Sequence, residues 1–266
     1  MVEVWRGTWV VAYRELLRFV NERSRLVSSL AFPLIFLVIF GAGFGKVIGA
    51  LAPGVDYIKF MYPGIVAQSV LTSSLFAGVS VVWDREYGFL REILVAPIAR
   101  SGIVLGKAVG ATVTALLQVL ILLVLTPVVG VSLTPETIIT LIPVVAILAF
   151  GLSGLGILIA SFMTSQQGFQ FVIQLLIFPL IFLAGVFFPV NKVPGWLEIV
   201  SKVNPLTYGV DAIRQIFLGS EATAGTSILR VTVLGHTMSL LDDVAVVGSL
   251  GALLLAGAVT AFNRQE

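Results

Sequence analysis

Long apolar stretches alternate with short polar ones along the chain, and six of them reach the roughly 20 residues that a helix needs to cross a bilayer. They are Leu26–Val47, Phe60–Val82, Ile103–Val129, Thr137–Met163, Gly168–Phe188 and Leu241–Phe262. Pro33, Pro63, Pro143 and Pro179 fall inside them. Neighbouring helices can satisfy the carbonyls these prolines free, so kinks are expected rather than breaks. Two other segments have a different pattern. In residues 1–25, Trp5, Trp9, Ala12, Tyr13, Leu16, Leu17 and Val20 recur at helical spacing, with Arg14, Arg18, Glu22 and Arg25 on the opposite face. This predicts an amphipathic helix lying in the membrane interface. In residues 189–240, a helical stretch from Val193 is broken at Asn204-Pro205-Leu206-Thr207-Tyr208 and resumes to Leu218. Each half is too short to span, which predicts a re-entrant or interfacial helical pair followed by an irregular loop from Gly219 to Ser239.

Composition turns this pattern into a fold class. The 266 residues are 58% hydrophobic and only 11% charged, where a soluble domain carries about 25% charged residues. The expectation is an all-α integral membrane protein, with residues 26–266 forming one membrane domain behind the amino-terminal helix. Basic residues concentrate on one side of the spans: Arg6, Arg14, Arg18, Arg23 and Arg25 before the first, Arg85, Arg91, Arg100 and Lys107 around the second connection and Arg264 after the last, against Lys46 and Lys59 in the short loops of the other side, while Lys192, Lys202, Arg214 and Arg230 fall in the long connection, which weighs little in this rule. By the positive-inside rule both termini face the cytoplasm, and the long 189–240 connection lies outside. Ala50-Leu51-Ala52 has the form of a signal-peptidase site, but the apolar run before it is long enough to span, so an uncleaved first helix is expected. A formal net charge of +2 gives no argument for nucleic acid as a partner, and zero cysteines exclude disulfides and thiol chemistry.

Little in the spans suggests catalysis. They contain almost no ionisable residue as drawn, with Asp242 and Asp243 at the outer end of the last one. His236 has no companions for a metal site. Gly41-Ala42-Gly43-Phe44-Gly45-Lys46 superficially matches a phosphate loop but lacks the first glycine and the final hydroxyl. Leu152-Ser153-Gly154-Leu155-Gly156 lies within an apolar run, where small residues serve helix contacts. No nucleotide, metal or other cofactor is expected on this chain. Uncharged polar residues remain: Gln68 and Thr72 share a face of the second span, Gln118 lies in the third, and Gln167, Gln170 and Gln174 share a face of the fifth. They are candidates for a translocation path or for interhelical hydrogen bonds. The charged stretch Trp83–Ser101, ended by Ala96-Pro97, fits a short helix and turn on the cytoplasmic side or a solvated loop there, and composition alone does not separate the two.

The order of these features resembles a permease subunit of the ABC type-2 transporters, near the daunorubicin drug-resistance exporters. The resemblance covers essentially the whole chain. It rests on the amino-terminal helix, the Trp83-Asp84-Arg85-Glu86-Tyr87-Gly88 to Ala96-Pro97 segment, and the stretch from Phe188-Pro189 through Asn204-Pro205-Leu206-Thr207-Tyr208 to Arg214. It implies a multi-pass protein of a prokaryotic plasma membrane, working beside a second permease, most simply a homodimer, and two ATPase subunits that bind ATP-Mg. It implies that residues 83–101 hold the coupling helix, with Glu86, Phe89, Leu90, Arg91, Glu92 and Leu94 against the ATPase. Asn204, Pro205 and Tyr208 would form the outer re-entrant turn. The cargo would be an amphipathic drug, a lipid or a lipid-linked glycan, and drug efflux would confer antibiotic resistance. A secondary transporter and a membrane-embedded enzyme are the alternatives from other classes. Neither internal repeats nor a nucleophile or metal constellation is visible to favour them.

Overall fold

The computed structural model describes residues 2–21, 31, 33–40, 43, 57–88, 100–130, 133–188, 190, 193–218, 230–233 and 235–264. In chain order its helices are α1 (Val2–Asn21), α2 (33–40), α3 (Tyr57–Leu75), α4 (Ala77–Glu86), α5 (Arg100–Val124), α6 (Thr126–Val129), α7 (Pro135–Phe162), α8 (Gln166–Leu183), α9 (Gly195–Val203), α10 (Pro205–Leu218) and α11 (Leu240–Arg264). Among the described residues five helices are long and apolar enough to cross a membrane: Tyr57–Glu86, α5, α7, α8 and α11. The expected first span, Leu26–Val47, lies mostly outside the described residues, and the parts that are described are helical at 31, 33–40 and 43. The protein is an all-α membrane protein. Among the described residues the one departure is a two-residue hairpin, Thr232–Val233 against His236–Thr237, turned by Gly235 at φ 83°, within the connection expected to be irregular.

Local chemistry sets the helix ends. Thr134 opens α7 by accepting from the Thr137 amide at 3.2 Å, with Pro135 behind it at a position whose missing N–H costs nothing. Ser165 opens α8 by accepting from the Gly168 amide at 3.2 Å. Gly88, at φ 78°, ends α4, its amide turning back to the Arg85 carbonyl. Pro63, Pro143 and Pro179 sit within α3, α7 and α8 as expected.

The centre of the bundle is α3, buried along nearly its whole length among α5, α7 and α10. The small residues of α7 serve helix contact. A Cβ on Gly156 would lie 2.4 Å from the Leu75 carbonyl oxygen, and one on Gly151 would lie 2.8 Å from the Gly251 Cα. Backbones this close gain dispersion contacts in a setting where lipid tails remove the hydrophobic drive between helices. By contrast α8 is mostly exposed, with Phe171, Leu175 and Phe178 each more than 60% accessible.

Candidate functional site

The polar residues of highest consequence lie where α1 crosses α4 and α5. Gly106 admits α1: a Cβ there would sit 2.8 Å from the Thr8 carbonyl oxygen and 2.7 Å from Val11 Cβ. Val11, Ala12 and Phe19 are buried on this side, while Trp5, Trp9, Tyr13, Leu17 and Val20 point outward. That outward face suits the headgroup level of a membrane. Two charged residues on the face opposite the aromatics, Arg14 and Arg18, reach α4. Arg14 Nη2 donates to Asp84 Oδ1 and Oδ2 at 3.2 and 3.0 Å, and Arg18 lies 4.0 Å over the Trp83 ring.

Asp84 also meets Lys107, whose Nζ lies 2.7 Å from Asp84 Oδ2, 2.8 Å from Ser80 Oγ and 3.7 Å from Glu15 Oε1. The Lys107 side chain is 1% exposed and that of Asp84 7%. Two cations and two carboxylates, Arg14, Lys107, Asp84 and Glu15, thus close a neutral cluster across three helices. Burial works against the charge of Arg14, but Asp84 and Glu15 outweigh it and hold the guanidinium above its ordinary value. Such a pair stabilises only while every member is matched, since desolvation of each ion costs several kcal/mol.

Between them the four residues Trp83 to Glu86 reach four other helices. Trp83 stacks under Arg18 of α1 and Asp84 joins α1 to α5. Arg85 Nη1 donates to the carbonyls of Ser161 and Met163 at 3.0 and 2.7 Å, satisfying the end of α7. Glu86 Oε2 accepts from the Gln166 amide at 3.0 Å, at the start of α8. Arg100 Nη1 likewise holds the Asn263 carbonyl in the last turn of α11 at 3.0 Å. Trp83 to Glu86 therefore close α4 rather than open a separate helix, a correction to the sequence expectation, and Glu86 is exposed with one intramolecular bond. Phe89, Leu90, Arg91, Glu92 and Leu94 lie outside the described residues. Lys107, counted from sequence as a flanking charge, is buried inside α5, so the spans are not as free of charge as the drawn boundaries suggested. The available signal was a lone lysine between Gly106 and Gly110 in an apolar run.

A cavity of about 200 Å³ adjoins the cluster, with Ser73, Trp83, Thr114, Gln166 and Gln170 in its wall. Trp83 Nε1 and Ser73 Oγ are buried there without a hydrogen-bond partner. The volume is many times the roughly 10–15 Å³ that one water occupies by the same kind of measure. Of the path candidates only Gln170 reaches this space. Gln68 and Gln118 are buried inside the bundle, Thr72 donates to the Gln68 carbonyl at 2.9 Å, and Gln174 is exposed on α8.

At the opposite end lies the turn between α9 and α10. Asn204 Nδ2 donates to the Leu180 carbonyl at 2.7 Å, while Asn204 Oδ1 accepts from the Leu206 amide at 3.0 Å. Pro205 supplies the first helical position of α10, where no amide is needed. Tyr208 donates to the Lys202 carbonyl at 2.7 Å and Thr207 to that of Ser201 at 2.6 Å, folding α10 back on α9. Asn204→Ala should lower stability by about 1–2 kcal/mol, because a buried carbonyl and a helix-start amide lose their partner together. Thermal unfolding of the purified protein measures this, and Asn204→Asp, which keeps the acceptor, should recover part of the loss.

Comparison with known proteins agrees with this architecture. The family model for the ABC-2 type transporter matches residues 6–218. A transport permease named ycf38 from Cyanophora paradoxa is 30% identical over 229 residues, covering 84% of this chain and 78% of that protein. Nodulation protein J from Rhizobium meliloti (strain 1021) is 31% identical over 221 residues, covering 82% and 81%. The ycf38 permease of Porphyra purpurea is 26% identical over 254 residues, covering 93% and 87%.

Proposed function

This chain belongs to the ABC-2 type transporter family, and from that premise we propose that it is the membrane half of an ATP-driven exporter in a prokaryotic plasma membrane. It pairs with a second copy of itself, and two separate ATPase subunits bind ATP-Mg and dock at the end that carries α1. Six spans place both termini on the cytoplasmic side. Its cargo is amphipathic: a drug, a lipid or a lipid-linked glycan.

The observation that carries this reading is the junction at Trp83 to Glu86, where consecutive side chains grip α1, α5, α7 and α8. A junction tied to four helices is what a docking element needs beside it in order to move a bundle. The exposed apolar face of α8 supports a partner permease, and the cavity with uncommitted polar atoms near that same end supports a cargo with a polar headgroup. Purification of the tagged chain from its host should bring down a Walker-motif ATPase, and amphiphiles should raise the assembly's ATP turnover. Transport driven by an ion gradient in proteoliposomes of this chain alone would overturn the reading.

Orientation has its own test, made simple by the absence of native cysteine. Ser132→Cys and Thr223→Cys should react with an impermeant maleimide in intact cells, whereas Ser101→Cys and Ser165→Cys should react only after the membrane is opened. Labelling of Ser165→Cys in intact cells would contradict the six-span arrangement.

A further inference from the structure

The start of α11 lies at the end of the bundle away from α1, because the last turn of α11 is held by Arg100. There Asp243, in the first turn, faces Asp211 of α10, and both are almost fully buried at 0% and 1% exposure. One amide joins them: Gln215 Nε2 lies 2.7 Å from Asp243 Oδ2 and 3.2 Å from Asp211 Oδ2. Asp211 Oδ2 also accepts from the Val231 amide at 3.1 Å. Gln215 thus brings the two carboxyl groups to one amide nitrogen. Yet Asp211 Oδ1 and Asp243 Oδ1 are both buried with no partner.

Two buried carboxyl groups at one amide nitrogen, each with an unmatched oxygen, would cost a large desolvation penalty and repel each other if both were ionised. One proton held by the pair removes one of the two charges and supplies a donor that neither carboxylate has. We propose that Asp211 and Asp243 bind one proton between them, and that this shared proton latches the re-entrant helix α10 and the hairpin loop to the start of α11.

The surrounding charges leave room for this. Arg214, beside Asp211 on α10, spends its Nη2 on the Gly185 carbonyl at 2.7 Å and lies over the Phe60 ring at 4.2 Å. Arg230 acts on both carboxyls from the loop, Asp242 acts on Asp243 from α11, and Tyr208 of α10 faces Asp243. No ionisable side chain of α3 or α7, which also pack on α10, is among the groups that act on the pair. Burial raises the Asp211 carboxyl above its usual range, against the Val231 amide and Arg214. The proton comes from water at this end and returns there when the latch opens. Because the folded protein holds a proton that the unfolded chain would have released, stability is present at low pH and is lost as pH rises.

The test uses the full chain in lipid nanodiscs. Infrared spectra at neutral pH should show a protonated-carboxyl band that shifts in heavy water and disappears in alkali. Asp243→Asn and Asp211→Asn should each remove it, while Glu136→Gln, at an exposed carboxyl, should leave it. The thermal midpoint of the wild type should fall as pH rises from the ordinary carboxyl range through neutral, where the unfolded chain releases the proton that the fold keeps, and that fall should flatten in Asp243→Asn, whose amide can donate to Asp211 at any pH. If the asparagine variants do not fold, the wild-type band and its loss in alkali still decide. A wild type without the band at neutral pH, or a band that survives in both asparagine variants, would overturn the proposal.

Discussion

Asp84→Asn is expected to destabilise the protein by about 3–5 kcal/mol, the range found when one partner of a buried ion pair is removed. The reason is what it leaves behind. Lys107 Nζ would keep neutral acceptors at position 84 and at Ser80 Oγ, 2.8 Å away, and its one remaining carboxylate in reach, Glu15, lies 3.7 Å off, in an environment where the lysine side chain is 1% exposed. Lys107→Met should cost less, because Asp84 would keep both bonds from Arg14, whose side chain is 47% exposed and partly hydrated. The double variant should be more stable than Asp84→Asn alone, since no uncompensated charge then remains at the lysine position. Equilibrium unfolding of the four proteins in one detergent provides the cycle. Strict additivity would show that Asp84 and Lys107 do not act as a pair, and the junction would lose its electrostatic basis.

Docking of the ATPase should be lost in Leu90→Asp. Apolar anchors at the centre of an interface contribute about 2 kcal/mol or more each, so co-purification should fall roughly thirty-fold. The protein should still insert, because the substitution sits in a connection between spans and leaves the basic residues beside the membrane unchanged. Glu86 needs a finer comparison, because its carboxylate accepts from the Gln166 amide at the start of α8. Glu86→Gln keeps an acceptor and should preserve both fold and docking. Glu86→Arg removes the acceptor, places a positive charge at a helix N-terminus, and should reduce stability as well as coupling. Measuring ATPase retention, substrate-stimulated hydrolysis and thermal midpoint on each variant separates the two effects. If Leu90→Asp kept full assembly and transport, residues 83–101 would not be the coupling element.

Much of the fold was legible from one kind of signal. Runs of about 20 apolar residues announce spans because an unsatisfied backbone amide in lipid is too costly for any other local structure. α3 to α5, α7, α8 and α11 duly follow the apolar stretches. The Asn204-Pro205 break was equally local: asparagine caps, proline opens, and the two short helices separate there. Helix ends were read less well. Trp83 to Glu86 looked like the start of a polar connection, yet they continue α4, because their side chains find partners on four other helices that no linear pattern displays.

What the sequence determined by itself is therefore the class of the molecule: helices that span, an amphipathic helix ahead of them, and a broken pair before the last. These follow from side-chain transfer energies and backbone rules acting within one segment. What only the tertiary structure decided is where charge is buried. Lys107, Asp84, Arg14 and Glu15 come from three helices, as Asp211, Gln215 and Asp243 come from two, and each is tolerable in the interior only through its partners. Read singly along the chain they look like flanking or loop residues, because the energy that allows their burial is pairwise and depends on distances that folding alone creates.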